Sequence, residues 1–162
     1  MKRLASLALA LLLPGCGLQP LYSGGSGGEV ARALAGVEVA PIPGKNGWLL
    51  QNALKDRIAA VPGAPPRYRL VVELDDKIEG FGIRRDDAIT RERRTLRARY
   101  RLTDGEKGTV LLDATAGSDA GIDVVRSEYA TIAAENTALE RLAGEVADQI
   151  VSRVALYAKR TQ

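Results

Sequence analysis

The single cysteine of the chain, Cys16, directly follows a short apolar segment near the N-terminus. Lys2 and Arg3 precede ten uncharged residues, numbers 4–13, and Pro14 and Gly15 lead from these to the cysteine. Ten helical residues span about 15 Å, half of a bilayer core, so the segment is too short to cross a membrane and suits an export signal. One cysteine cannot form an internal disulfide, so we expect the exported domain to depend on its apolar core.

A leucine three residues before Cys16 and a glycine one residue before it resemble a bacterial lipobox. By this resemblance to bacterial lipoproteins, we expect Cys16 to be the lipidated first residue of the mature protein, carrying diacylglycerol and an N-acyl chain. Two or more acyl chains hold a protein stably to a bilayer. The alternative is an ordinary cleaved signal followed by a free cysteine. Gly17, in place of an aspartate, is typical of lipoproteins forwarded to the outer membrane, so we expect a location at its periplasmic face.

These features divide the chain into three parts. We expect a signal peptide over residues 1–15 and a lipidated N-terminus with a flexible tether over residues 16–35, which includes the Gly/Ser run 24–28. Residues 36–162 then form one folded domain.

The composition excludes several classes of function. The chain has no histidine, and a lipidated Cys16 leaves no free thiol, so His-based triads, thiol nucleophiles and the usual zinc sites are excluded. Removal of Lys2 and Arg3 from the 23 basic residues leaves 21 against 20 acidic ones, which gives no support for nucleic-acid binding. We predict no catalytic residue, metal or cofactor; an enzyme would have to use carboxylates or a Ser-Lys pair, for which there is no motif.

Alternating apolar residues predict three consecutive antiparallel strands in the middle of the chain. A hairpin loop with two glycines, residues 104–108, joins the second strand to the third. Gly80 and Gly82 favour a loop or bulge between the first two. The inward residues are Tyr68, Leu70, Val72 and Leu74; Leu96, Ala98, Tyr100 and Leu102; and Val110, Leu112, Ala114 and Ala116.

Two predicted helices enclose these strands in sequence. The first follows a short strand over residues 37–42, which its prolines confine to a sheet edge or a strand end, and Asn46 is the expected N-cap. The second helix runs from Ser127 to about Lys159. Helices first and last with strands between them predict an α+β fold, in which two helices cover one face of a sheet. The apolar stripes are Leu50, Leu54, Ile58 and Val61, and Leu139, Leu142, Val146, Ile150 and Val154.

A dense arginine cluster occupies residues 84–101, with eight arginines against three acidic residues. Five of them share one parity and project from the same side of a regular strand; we call these five the arginine row. One interpretation is a solvated sheet face whose ion-pair partners come from the neighbouring strand around Arg69, Glu73 and Asp75. The other is a binding site for a phosphorylated ligand, since guanidinium groups bind phosphate in a bidentate way. The members of the row are Arg91, Arg93, Arg97, Arg99 and Arg101.

Several segments together resemble the alphaproteobacterial branch of the LptE family of lipopolysaccharide-assembly lipoproteins. They are residues 16–22 (CGLQPLY), residues 82–86 with Thr90 and Arg91, the alternating strand 97–102, residues 127–130 (SEYA), Leu142-Ala143 and residues 148–157 (DQIVSRVALY). The resemblance implies two helices packed on one face of a four-stranded, mainly antiparallel sheet. It also implies a non-enzymatic plug that helps to assemble the LptD barrel, binds lipopolysaccharide and aids its passage to the outer leaflet. The arginine row supplies the candidate lipopolysaccharide-binding residues by charge and position.

Two other functions stay open at this point. A different outer-membrane lipoprotein could share the anchor and the fold, act as a scaffold or accessory subunit of another envelope complex, and use its arginines only for internal ion pairs. A small periplasmic hydrolase would need a cleft that contains a carboxylate with a perturbed pKa.

Overall fold

The computed structural model describes residues 31, 34–58, 66–83 and 89–160. The predicted signal, Cys16 and most of the predicted tether therefore lie outside the described residues, as do Val61, Arg84 and Arg85. The end of the predicted tether is wrong, because Leu34 is helical and packs in the core with only 2% exposure, so the folded domain begins before residue 36. The elements follow the order β1 (Val37–Val39), α1 (Gly44–Arg57), β2 (Tyr68–Ile83), β3 (Ile89–Asp104), β4 (Val110–Asp123) and α2 (Glu128–Arg160).

The strands form one four-stranded sheet in the order β1-β2-β3-β4. β1 runs parallel to β2, whereas the β2–β3 and β3–β4 pairs are antiparallel. The predicted fold, a four-stranded and mainly antiparallel sheet with two helices, is confirmed. β1 lies at an edge, as its prolines predict, and is shorter than expected because the chain leaves the sheet after Ala40, before Pro41 and Pro43.

Both long helices pack on the same face of the sheet, and the core fills the space between the two layers. Even-numbered residues of β2 and β3, and those of β4 from Leu112 onward, point toward the helices, as the alternation predicts, while the odd-numbered ones point away from them. Val110, which the alternation predicts to point inward, is 51% exposed and pairs with Thr103, because the register shifts between Leu102 and Thr103. The buried residues include Leu70, Leu96, Ala98, Tyr100, Leu102 and Ala116 from the sheet, Leu50, Leu54 and Ile58 from the α1 region, and Leu139, Leu142, Val146, Ile150 and Val154 from α2.

The long β2–β3 hairpin corrects one prediction. Gly80 and Gly82 do not form a loop: β2 pairs with β3 continuously to Phe81↔Arg91 and again at Ile83↔Ile89. Gly82 adopts a φ of 81°, and the Thr90 hydroxyl donates a hydrogen bond of 2.8 Å to its carbonyl. Because glycine adopts a positive φ without steric cost, Gly82 lets the strand continue at a position where the sequence predicts a loop or bulge.

The face of the sheet under the helices contains one buried ion pair, between Arg94 and Asp76. Arg94 Nε and Nη2 donate to the two Asp76 carboxylate oxygens at 2.9 and 2.5 Å, and the two side chains are only 8% and 12% exposed. Arg94 Nη1 donates to the Glu135 carbonyl of α2 at 2.9 Å. The prediction that Asn46 caps α1 is wrong: the N-cap residue is Pro43, and no side chain caps the helix. The Asn46 amide instead donates a hydrogen bond to the Asp76 carboxylate. The pair thus joins the sheet to both helices.

Glu92 lies two residues before Arg94 on the same face. Its Oε2 atom is buried and has no hydrogen-bond partner among the described residues. Burial raises the pKa of Glu92, and the neighbouring Glu135 carboxyl raises it further through its charge and a side-chain hydrogen bond. A raised pKa favours the protonated form, so this position shifts Glu92 toward the neutral carboxyl.

In the part of the chain that the structure describes, neither helix combines the length and the apolar character that crossing a membrane requires. The longer helix, α2, carries charged residues along its exposed side.

We predict that Asp76→Ala destabilises the domain by about 3–5 kcal/mol, because it leaves the buried Arg94 guanidinium without its counter-charge. The neighbouring Asp75→Ala is the matched control. Asp75 is 58% exposed, and among the described residues it pairs only with Lys77, at 3.3 Å, so its loss should change the free energy of unfolding by no more than about 0.5 kcal/mol. Urea unfolding followed by circular dichroism measures both changes; equal losses for the two variants would contradict the assigned role of the Arg94–Asp76 pair.

Candidate functional site on the open face of the sheet

The face of the sheet that no helix covers carries the whole arginine row; we call this the open face. The row occupies alternate positions of β3 between Arg91 and Arg101, and all its members except the half-buried Arg101 are exposed. Ten residues of strand span about 33 Å, so the row forms an extended cationic stripe. The structure thus brings all five predicted residues to one surface. Arg94 has the other parity and lies under the helices.

Acidic residues of the two neighbouring strands flank the arginine row on both sides. Ion pairs engage four of its five members. Arg99 binds Asp113 through two hydrogen bonds of 2.9 and 3.2 Å, and the others are Arg91–Asp123 at 2.9 Å, Arg93–Asp119 at 3.9 Å and Arg101–Glu73 at 2.5 Å. Hydrogen bonds from Arg99 lower the pKa of Asp113, so this carboxylate stays ionised well below neutral pH. The paired side chains are between 39% and 76% exposed, so salt screens these pairs and a competing anion can replace the carboxylates.

Most of these partners lie on β4, whereas the sequence predicts partners on β2. On β2 only Glu73 forms a pair with the row, and Asp75 pairs with Lys77 instead. A signal for the β4 partners was present. The inward residues of β4 are even-numbered, so acidic residues at odd positions had to point to the open face. They are Asp113, Asp119 and Asp123.

Arg97, at the centre of the row, forms no ion pair with any described residue. Directly across from it on β4 stands Gly117, where a Cβ atom would lie 3.2 Å from Arg97 Cγ; the glycine leaves room for the arginine side chain. A cavity of about 210 Å³ adjoins this position and is lined by Thr95, Thr115, Ser118 and Gln149 among others. A guanidinium beside hydroxyl groups can donate several hydrogen bonds to a phosphate.

Gln149 of α2 closes the outer edge of β4 at the same position. Its Oε1 accepts a hydrogen bond from the Gly117 N–H at 3.2 Å, and its Nε2 donates to the Gly117 carbonyl at 3.1 Å. The amide therefore binds the backbone as an adjacent strand would.

At the hairpin end of the row, Arg93 lies over the ring of Phe81, with 5.5 Å between the guanidinium carbon and the ring centre. Phe81 is 40% exposed. An aromatic side chain therefore stands beside the cationic stripe and offers apolar contact to a ligand that has both charged and apolar parts.

The hydrolase alternative requires a cleft with a perturbed carboxylate. A second cavity, of about 570 Å³, lies between β2 and the start of α1. Glu92, the carboxyl group with a raised pKa, lines neither cavity. Within the described ranges, no three histidine, cysteine or acidic residues lie close enough together to bind a metal ion.

Known structures share this fold. A Caulobacter crescentus CB15 protein described as a lipoprotein is 26% identical, with a TM-score of 0.70 over 83% of this chain and 98% of its own. Rare lipoprotein B from Shewanella oneidensis is 8% identical, with a TM-score of 0.60 over 77% of this chain and 96% of its own. A minor lipoprotein from Acinetobacter baumannii is 12% identical, with a TM-score of 0.56 over 74% and 88%. At these identities, the last two show a common fold alone.

Comparison with curated proteins gave no match. The family model of LptE, described as lipopolysaccharide-assembly, matches residues 34–154. The match covers α1, the entire sheet with its arginine row, and α2 as far as Val154. The protein therefore belongs to the LptE family of lipopolysaccharide-assembly proteins.

Proposed function

We propose that this protein is a lipid-anchored outer-membrane member of its family that plugs and helps to assemble the LptD barrel and binds lipopolysaccharide on its arginine row. It works without turnover chemistry and aids the passage of lipopolysaccharide to the outer leaflet. The observation that carries the ligand assignment is the alignment of five arginines on the one sheet face that no helix covers.

The open face suits a polar, water-filled environment. In the described residues it is made mainly of ion pairs, threonines and glycines, with the exposed ring of Phe81 at its hairpin end, so most of it needs no apolar cover from a partner. The lumen of a large outer-membrane barrel is polar. A domain with one helix-covered face and one charged face can therefore stand in such a lumen without exposing its core.

The row also has the chemistry for a multiply phosphorylated glycolipid. Phosphate oxygens accept bidentate hydrogen bonds from guanidinium groups, and the bonds are stronger than those between neutral groups. Arg97 can bind a phosphate without giving up an ion pair, whereas its neighbours must exchange their exposed carboxylate partners for phosphates. Binding would begin at Arg97 and extend along the strand.

The pairing of the row favours one competing function. A protein whose arginines serve only to bind Asp113, Asp119, Asp123 and Glu73 would be a scaffold or accessory subunit of another envelope complex, without lipopolysaccharide binding. The two functions differ in what a loss of positive charge at Arg97 does, because that residue has no acidic partner among the described residues.

We predict that the double variant Arg97→Glu and Arg99→Glu binds purified lipopolysaccharide at least about tenfold more weakly, since charge-assisted hydrogen bonds at two positions are lost. The matched control is Lys55→Glu with Arg141→Glu, which makes the same change in net charge on the helices and should retain binding. Fluorescence titration measures the affinity and thermal unfolding verifies the fold. If the double variant is unstable, Arg97→Glu alone serves; wild-type affinity in a folded row variant would leave only the scaffold function.

The proposed anchor is Cys16, with the Gly/Ser-containing segment before Leu34 between the lipid and the domain. We predict that Cys16→Ser moves the protein from the membrane fraction to the soluble periplasmic fraction and abolishes incorporation of labelled palmitate, because no acyl chain can then be attached. Ser23→Ala, in the same segment, is the control and should leave both unchanged. Membrane fractionation of Cys16→Ser identical to that of the wild type would contradict lipidation at this residue.

A further inference from the structure

Strand β2 has a neighbour along only the first part of its outer edge. β1 pairs with Tyr68, Arg69 and Leu70, and the last hydrogen bond between them runs from the Ala40 N–H to the Leu70 carbonyl at 2.9 Å. The chain then leaves the sheet through residues 41–43 and enters α1. Among the described residues, no strand lies beside β2 beyond this point.

The direction of the backbone groups on this edge follows from two hydrogen bonds. The Tyr68 N–H donates to the Gly36 carbonyl and the Leu70 carbonyl accepts from Ala40, so both residues present their backbone groups to the β1 side. Backbone direction alternates along an antiparallel strand, so the following even-numbered residues face the same side. No hydrogen bond from the described residues reaches these outward groups, which belong to Val72, Leu74, Asp76, Ile78 and Gly80.

The cavity of about 570 Å³ opens at this edge. Leu74, Asp75 and Asp76 line it from β2, and residues 43–47 at the start of α1 line its other side. Val37 and Val39 of β1 point into the core and are only 4% and 8% exposed. A strand that continued the line of β1 would therefore place the inward side chain opposite Leu74 in this cavity. Unpaired backbone groups and a pocket for a side chain are the two elements of binding by strand addition.

The side chains of β2 on the open face beside this edge are mainly acidic, which favours a basic partner. Asp75 and Lys77 form a mutual ion pair at 3.3 Å, whereas Glu79 is exposed and has no ion-pair partner among the described residues. An incoming strand gains from lysine or arginine at the positions that face Asp75 and Glu79. An antiparallel second copy of β2 that set Lys77 opposite Asp75 would also set Glu73 opposite Glu79, and like charges across a strand pair are unfavourable.

We propose that the free edge of β2, residues 72–80, binds an extended basic segment of a partner polypeptide. The segment adds to the sheet as a fifth strand, continues the line of β1 and places one inward-facing side chain in the cavity beside Leu74. This site lies at a sheet edge and uses backbone groups, so it is separate from the arginine row and does not depend on lipopolysaccharide binding.

The test uses the full-length chain in detergent and, as the probe, a fluorescein-labelled octapeptide of alternating lysine and valine with blocked ends. Fluorescence anisotropy should show saturable binding, and hydrogen exchange of residues 72–80 should slow in the complex. Two further peptides carry N-methyl groups on either all valines or all lysines. One of them should bind at least about tenfold more weakly and the other within about twofold of the parent, because only one alternate set of N–H groups faces β2.

Protein variants examine the same edge from the other side. Ile78→Pro removes one outward N–H without touching the ladder to β3, and should weaken peptide binding about fivefold or more. Ile78→Thr keeps that N–H and should bind within about twofold of the wild type. The proposal is overturned by an absence of saturable binding, by equal affinities of the two N-methylated peptides, by wild-type affinity of a folded Ile78→Pro variant, or by a dimer of the protein that already protects residues 72–80 from exchange.

Discussion

The alternation of arginine with apolar residues along β3 is the constraint on which the rest of the structure depends. Leu96, Ala98 and Tyr100 must be buried, so the helices have to pack on the face to which these residues point. The intervening arginines then have only the opposite face, since a shift of register by one residue would bury several guanidinium groups at once. One pattern thus decides both where the core lies and where the cationic stripe lies.

Periodicity was sufficient to predict the layers of the fold, the buried stripes of both helices and the common face of the arginine row. It failed at Gly80–Gly82 and at Asn46, where residue type favoured a break or a cap. There, long-range contacts decide: β2 is held in the sheet by its pairing with β3, and Asn46 is drawn to Asp76 on β2. Parity alone could have shown that Asp76 and Arg94 face the helices, because both have even numbers in strands with even-numbered core residues.

The ion pairs of the row were less predictable, because they depend on how β3 and β4 align. The turn after Asp104 and the irregularity at Leu102/Thr103 set this register, and a single sequence determines neither of them. The register brings Asp113 within reach of Arg99 and places Gly117 opposite Arg97. The result is a row of mostly paired arginines with one available cation at its centre, a pattern that composition alone could not distinguish from a fully paired surface.

The open face, the buried Arg94–Asp76 pair and the free edge of β2 are three polar regions with different roles, and Asp76 belongs to the last two. The most direct measurement of the central claim, that lipopolysaccharide meets the open face, is photo-crosslinking in living cells. A photoreactive phenylalanine derivative replaces either Thr115, which is exposed beside Arg99, or Glu140, which is exposed on α2. The account predicts a lipopolysaccharide adduct at position 115 and none at position 140. No adduct at position 115, or an adduct at position 140 instead, would contradict it.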